Sequence, residues 1–140
     1  MPMSDDAGLE RALGADTIAV IGCSTTPGKA AHDVPAYLQD HGYRVIPVNP
    51  FAESILGEHA YDSLGDVDEE IDLVNVFRPS DEVPDVLDAV RERHADRGDA
   101  GTAWLQLGIR HDEAAAAAEA AGVDVIQDRC MKIEHRRLMD

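Results

Sequence analysis

Thr17-Ile18-Ala19-Val20-Ile21-Gly22-Cys23-Ser24-Thr25-Thr26-Pro27-Gly28-Lys29 is the stretch that decides the fold. Its first half is a continuous apolar run with no polar alternation, the pattern of a strand buried on both faces. Its second half is a loop of small residues. Beyond it, Val34, Tyr37 and Leu38 share one side of a helix expected over Asp33 to His41, with Gly42 as its stop.

The same alternation runs through the rest of the chain. Arg44 to Val48 reads as a second strand, although Pro47 lacks an N–H and fits poorly in a regular central strand. Residues 51–70 read as loop, with a short extended piece near Glu58 to Tyr61. Leu73 to Phe77 is a third strand. Ser80 is placed to cap the helix after it, where Val83, Val86, Leu87 and Val90 fall at i, i+3, i+4 and i+7. Thr102 to Leu107 is a fourth strand, His111 to Ala121 an Ala-rich helix, Val123 to Ile126 a fifth strand, and Cys130 to Met139 a terminal helix. Upstream, residues 1–14 form a cap helix (within a cap segment 1–16) begun by Ser4 or Asp5, with Leu9, Ala12 and Leu13 on one face. Strand–helix alternation of this kind implies an α/β fold. The expectation is a single Rossmann-like domain over residues 1–140, a three-layer sandwich with a five-stranded, mostly parallel sheet.

Composition narrows the function. Asp and Glu total 28 against 12 Lys and Arg, a formal charge of −16, which disfavours nucleic acid as a partner. Ten of the basic residues are Arg and two are Lys, while 18 of the acids are Asp. At about 1 M salt the Debye length is ~3 Å, so such a surface tolerates its own repulsion. The balance predicts an acidic protein of a halophile's cytoplasm. The apolar runs are too short to span a membrane, and residues 1–6 carry no signal-peptide pattern. Two distant cysteines give neither a disulfide framework nor a zinc pair.

Open α/β sheets take ligands beyond the carboxyl ends of their strands. Lys29, Arg78, Arg110 and Arg129 all follow strand ends, which fits an anionic ligand; each arginine alone is as readily a surface partner of a nearby acid. The Gly22–Lys29 loop fits neither the Walker A nor the GxGxxG spacing. Strand two ends in Asn49-Pro50 rather than the acid that holds a dinucleotide's ribose. Cys23 and Cys130 read as inert buried thiols or as partners for a ligand thiol. His135 reads either as a functional residue or as a solvated or capping one.

Four motifs in order then resemble a known family: Ile18 to Ser24, His41 to Pro50, Trp104 to Ile109, and Asp128 to His135. They resemble the stand-alone CoA-binding domain proteins, related to the CoA-binding domain of the succinyl-CoA synthetase alpha subunit. The resemblance implies coenzyme A as ligand. It places the phosphates at Gly22, Cys23, Ser24, Thr25 and Lys29, and the nucleotide end at Asn49 and Pro50. It places the adenine by Val76, Phe77 and Arg78, the pantetheine arm along Gln106, Leu107, Gly108 and Ile109, and the thiol near Cys130. One departure stands out: Phe51-Ala52 follow the Asn-Pro turn where a basic residue is common, which leaves Arg44 or Arg78 to meet the 3′-phosphate.

The expected function is binding of CoA or an acyl-CoA by a non-catalytic carrier, sensor or accessory protein in the cytoplasm. Its expected protein partner is a second copy or a ligase, through a tail patch of Met131, Ile133, Leu138 and Met139. The rival reading is a small NAD(P)-dependent oxidoreductase, with His32 or Tyr37 as proton donor.

Overall fold

The computed structural model describes residues 5–139. Ser4, and with it one of the two expected caps of the first helix, lies outside them. Asp5 caps that helix, α1 (Asp6–Leu13), its carboxylate accepting from the Gly8 amide at 2.8 Å. The remaining elements are β1 (Thr17–Ile21), α2 (Ala30–Asp40), β2 (Arg44–Val48), the hairpin β3 (Ser54–Ile55) and β4 (Glu58–His59), β5 (Leu73–Val76), α3 (Val83–Arg97), β6 (Thr102–Leu105), α4 (Asp112–Ala120), β7 (Asp124–Ile126) and α5 (Met131–Leu138). The main sheet has the order β2-β1-β5-β6-β7 and every pairing in it is parallel. Direction of travel across the sheet reverses between β1 and β5, the place where doubly wound folds open a crevice.

Each strand feeds two cores, because successive side chains point to opposite faces. Ile18 and Val20 of β1, Leu73 of β5, Trp104 of β6 and Ile126 of β7 pack toward α1, α2 and α5. Ala19, Val74, Val76, Ala103, Leu105 and Val125 pack toward α3 and α4. This double burial is why the strands read as unbroken apolar runs.

Pro47 is accommodated because β2 lies at the sheet edge. The Val48 carbonyl faces β1 and accepts from the Gly22 amide, while the Pro47 carbonyl faces outward and accepts from Tyr61. A residue's N–H and C=O point the same way in a strand, so the missing donor of Pro47 falls on the outer side, away from β1.

The third and fourth expected strands end early, at Val76 and Leu105, and three further differences have local reasons. Helix α2 starts at Ala30, because Lys29 is still extended and Pro35 sits inside the helix. Proline has no N–H to give the carbonyl four residues back. The Ala31 carbonyl instead accepts from the Ser24 amide at 2.9 Å, which ties the β1 loop to the helix. Ser80 does not cap α3. Residues Ser80–Glu82 first wind as a 3₁₀ turn, and the Ser80 hydroxyl accepts from the Arg110 amide at 3.0 Å. The hairpin β3–β4 was legible only in its second strand. Its two-residue turn, Leu56-Gly57, has positive φ at both positions, as a hairpin turn of the right twist requires.

Candidate functional site

A cleft of about 640 Å³ opens over the carboxyl ends of β2, β1 and β5. Its floor holds Ile21 and Gly22. One side is the loop Cys23-Ser24-Thr25 with Lys29 and Ala31, and another is the turn Asn49-Pro50-Phe51. The remaining wall is Asp62 to Leu64, Arg78, Glu82 and the first turns of α3.

The loop is held by its own short-range bonds. The Thr26 amide donates to Ser24 Oγ at 3.0 Å and the Gly28 amide to Asp33 Oδ1 at 3.1 Å. The Gly28 amide, followed by His32, holds the Asp33 carboxyl below the usual carboxylate range. The amides of Ser24, Thr26 and Gly28 are thus engaged within the protein, which narrows the expected phosphate cradle. What the cleft keeps for an anion is the start of α2, whose N-cap Lys29 makes no side-chain cap and lines the wall. A helix start without a cap presents backbone donors and the positive end of its dipole.

Gly22 is required where it stands. Its φ is +83°, and a Cβ there would meet the Phe77 carbonyl oxygen at 2.8 Å and Arg78 Cδ at 3.0 Å. The absence of a side chain lets the β1 loop lie against the end of β5. Asn49 completes the joint, bonding both the Cys23 carbonyl and the Phe51 amide.

The structure divides the expected site residues. Gly22, Cys23, Ser24, Thr25, Lys29, Asn49, Pro50 and Arg78 all line the cleft. Val76 does not: it is fully buried in β5 and packs under α3. Phe77 is half-buried against the opposite core. Gln106 is buried, with its Oε1 facing the Asn75 amide group and accepting weakly from the Met131 amide. Leu107, Gly108 and Ile109 form the turn after β6, outside the cleft, where Asp128 holds the Gly108 amide. Cys130 stands at the N-cap position of α5, without a side-chain capping bond, and packs in the same core as Cys23.

Burial corrects the thiol-exchange reading for Cys23. Cys23 is fully buried, and burial pushes its thiol from 9.0 up to about 12, so it stays protonated and unreactive at neutral pH. His135 is buried too, not solvated; its Nδ1 meets the Tyr37 hydroxyl at 2.8 Å. Of the tail patch, Met131 is core, Leu138 packs against the core, and Ile133 and Met139 are exposed.

The rim arginines carry acid partners: Arg78 with Glu82, Arg110 with Asp112, and Arg129 with Glu134. The pairing reading therefore holds for these three, and only Arg78 lines the cleft. Arg44 begins β2 at the far end of the sheet, where Glu58 and Glu69 hold it, so it cannot serve the strand-end site. His32 and Tyr37, which a hydride-transfer reading needs, do not line the cleft either. Among the described residues no cluster suited to a metal occurs, and no helix is long and apolar enough to cross a membrane.

Sequence reading missed the apolar part of the cleft: Val48, Leu64, Val86 and Ala89, with Phe51 at its rim. It also missed what holds Leu64 in place. Arg93, with its side chain 3% exposed, donates to the carbonyls of Leu64, Val67 and Glu69 and pairs with Asp99 at 3.0 Å. Burial opposes ionisation of Asp99, but the bonds from Arg93 and the Ile71 amide outweigh it and hold its carboxyl below the usual range.

A doubly wound parallel sheet with a ligand-sized cleft at its switch point defines a Rossmann-like domain. Within that class the chain belongs to the CoA binding domain family, whose model matches residues 16–136. It is 41% identical over 118 residues to YneT, an uncharacterized protein of Bacillus subtilis, covering 84% of each chain. It superposes on the solved structure of cell-free ID.343 from Thermus thermophilus with a TM-score of 0.87 and 44% identity, covering 96% of this chain and 98% of that one. It is also homologous to part of the ADP-forming acetate–CoA ligase of Methanocaldococcus jannaschii, 36% identical over 72 residues. That stretch is 51% of this chain and 10% of the ligase.

Proposed function

We propose that this protein binds coenzyme A or an acyl-CoA in the cleft over β2, β1 and β5, as a non-catalytic carrier, sensor or accessory protein. The observation that carries the reading is the joint made by Gly22, Lys29 and Asn49. The glycine lets the loop close on β5, the lysine and the uncapped start of α2 face the cleft, and the asparagine fixes the neighbouring turn. Such a helix start with an adjacent cation suits a diphosphate. Family membership supplies the ligand's identity, CoA.

In this reading Gly22, Cys23, Ser24, Thr25 and Lys29 serve the phosphates, and Asn49, Pro50 and Arg78 the nucleotide. The pantetheine arm runs toward the β6 turn at Gln106 to Ile109. Val76, Phe77 and Cys130 act from beneath, as packing. The working compartment is the cytoplasm of a salt-rich cell, in keeping with the −16 charge. A ligase that uses CoA is the partner to test first, since homologous domains occur within ADP-forming ligases. Calorimetry at high salt with CoA, acetyl-CoA and NAD tests the reading. Micromolar or tighter binding of CoA that Lys29→Ala weakens supports it, and binding of NAD without CoA overturns it.

A further inference from the structure

Phe51 is 96% exposed, one of only two phenylalanines in the chain, and it stands on the rim of the cleft. Its backbone is fixed, because its amide donates to Asn49 Oδ1 at 2.8 Å and Asn49 is in turn tied to Cys23. A bulky ring standing in water, on a fixed backbone, at the rim of a cleft whose apolar lining includes Val48, Leu64, Val86 and Ala89 is a surface suited to a flat partner.

The charges around it exclude one kind of partner. Arg78 has its guanidinium fork filled by Glu82, at 3.0 and 2.9 Å. Arg44 is at the far end of the sheet, held by Glu58 and Glu69. The other ionisable groups lining the cleft are the acids Asp62 and Asp85 and, at the start of α2, Lys29. A phosphate monoester placed there would face more carboxylates than free cations.

We infer that the base of the ligand stacks on the ring of Phe51, and that this end of the site is read by stacking and not by neutralising a ribose phosphate. The inference rests on the CoA reading above. Its test is calorimetry on the intact chain, wild type and Phe51→Ala, with CoA, dephospho-CoA and 4′-phosphopantetheine. CoA and dephospho-CoA should bind the wild type within about threefold of each other. Phe51→Ala should weaken both by about tenfold or more, the usual worth of one stacked base, and leave 4′-phosphopantetheine unchanged. Thermal unfolding of the variant should match the wild type, since the ring is in solvent.

If Phe51→Ala binds CoA as well as the wild type does, the inference falls and the CoA reading stands. The same follows if the variant loses 4′-phosphopantetheine equally, or if CoA binds more than about threefold tighter than dephospho-CoA. If no form of CoA binds the wild type, both fall.

Discussion

The side-chain amide of Asn49 donates to the carbonyl oxygen of Cys23 at 2.8 Å, and its Oδ1 accepts from the Phe51 amide at the same distance. One side chain thus fastens the loop after β1 to the turn after β2, two segments 26 residues apart in sequence. Asn49→Ala removes both bonds and should cost about 1–3 kcal/mol of stability. Asn49→Asp keeps the acceptor for Phe51 and should recover part of it. Guanidinium unfolding of the three proteins checks this; equal midpoints would show that the joint carries no weight.

Gly22→Ala forces a Cβ into 2.8 Å contact with the Phe77 carbonyl, at a φ that side chains resist. The left-handed backbone alone costs about 1–2 kcal/mol, and the overlap adds to it. Gly28 has a φ of +96° with open space around it, so Gly28→Ala should pay the backbone cost without the clash. Comparing the two melting temperatures separates the contributions.

Arg93→Ala should destabilise the fold by about 3–5 kcal/mol, because it strands the Asp99 carboxylate in the interior. The pair also sets a pH dependence. Asp99 has its folded pKa below the ordinary 3.8, so its contribution is present above that value and is lost as pH falls through the lower folded value. Acid unfolding of wild type and Asp99→Asn should therefore converge at low pH.

Cys23 should resist alkylation in the native protein and react only on unfolding, given its burial and a thiol pushed up to about 12. Because the folded value lies above the unfolded one, stability is full below pH 9.0 and declines as pH rises toward 12. Cys23→Ala should flatten that alkaline decline. Rapid labelling of Cys23 in native buffer would refute the assignment.

Sheet, layers and order of elements were legible because strands buried on both faces leave unbroken apolar runs such as Ile18 to Ile21, and glycine punctuates the helices. The loop after β1 and the turn at Asn49-Pro50 were legible as a site because they follow strand ends. The rest depended on contacts between distant segments. Nothing local announces that Arg93 reaches across to Leu64, or that Glu82 fills the fork of Arg78. Phe51 read as the loss of a base, and nothing in the sequence announced that it would stand almost fully exposed beside the cleft. Arg44 was drawn in only by the resemblance, as a substitute for the base missing after Asn49-Pro50; as the first residue of β2 it stands at the end of the strand opposite the site.

The outward face of Pro47 bears on how copies of this chain meet. An edge strand is a template onto which another chain can add, amide to carbonyl, and growth along it leads to aggregation. Here that template is broken twice: the proline offers no donor in the middle of β2, and Tyr61 already pairs with this edge, its amide donating to the Pro47 carbonyl and its carbonyl accepting from the Asn49 amide. A neighbour cannot extend the sheet across β2. Of the two edges of the main sheet, strand addition is thereby left to β7 alone, away from the strand that carries the Asn49 turn.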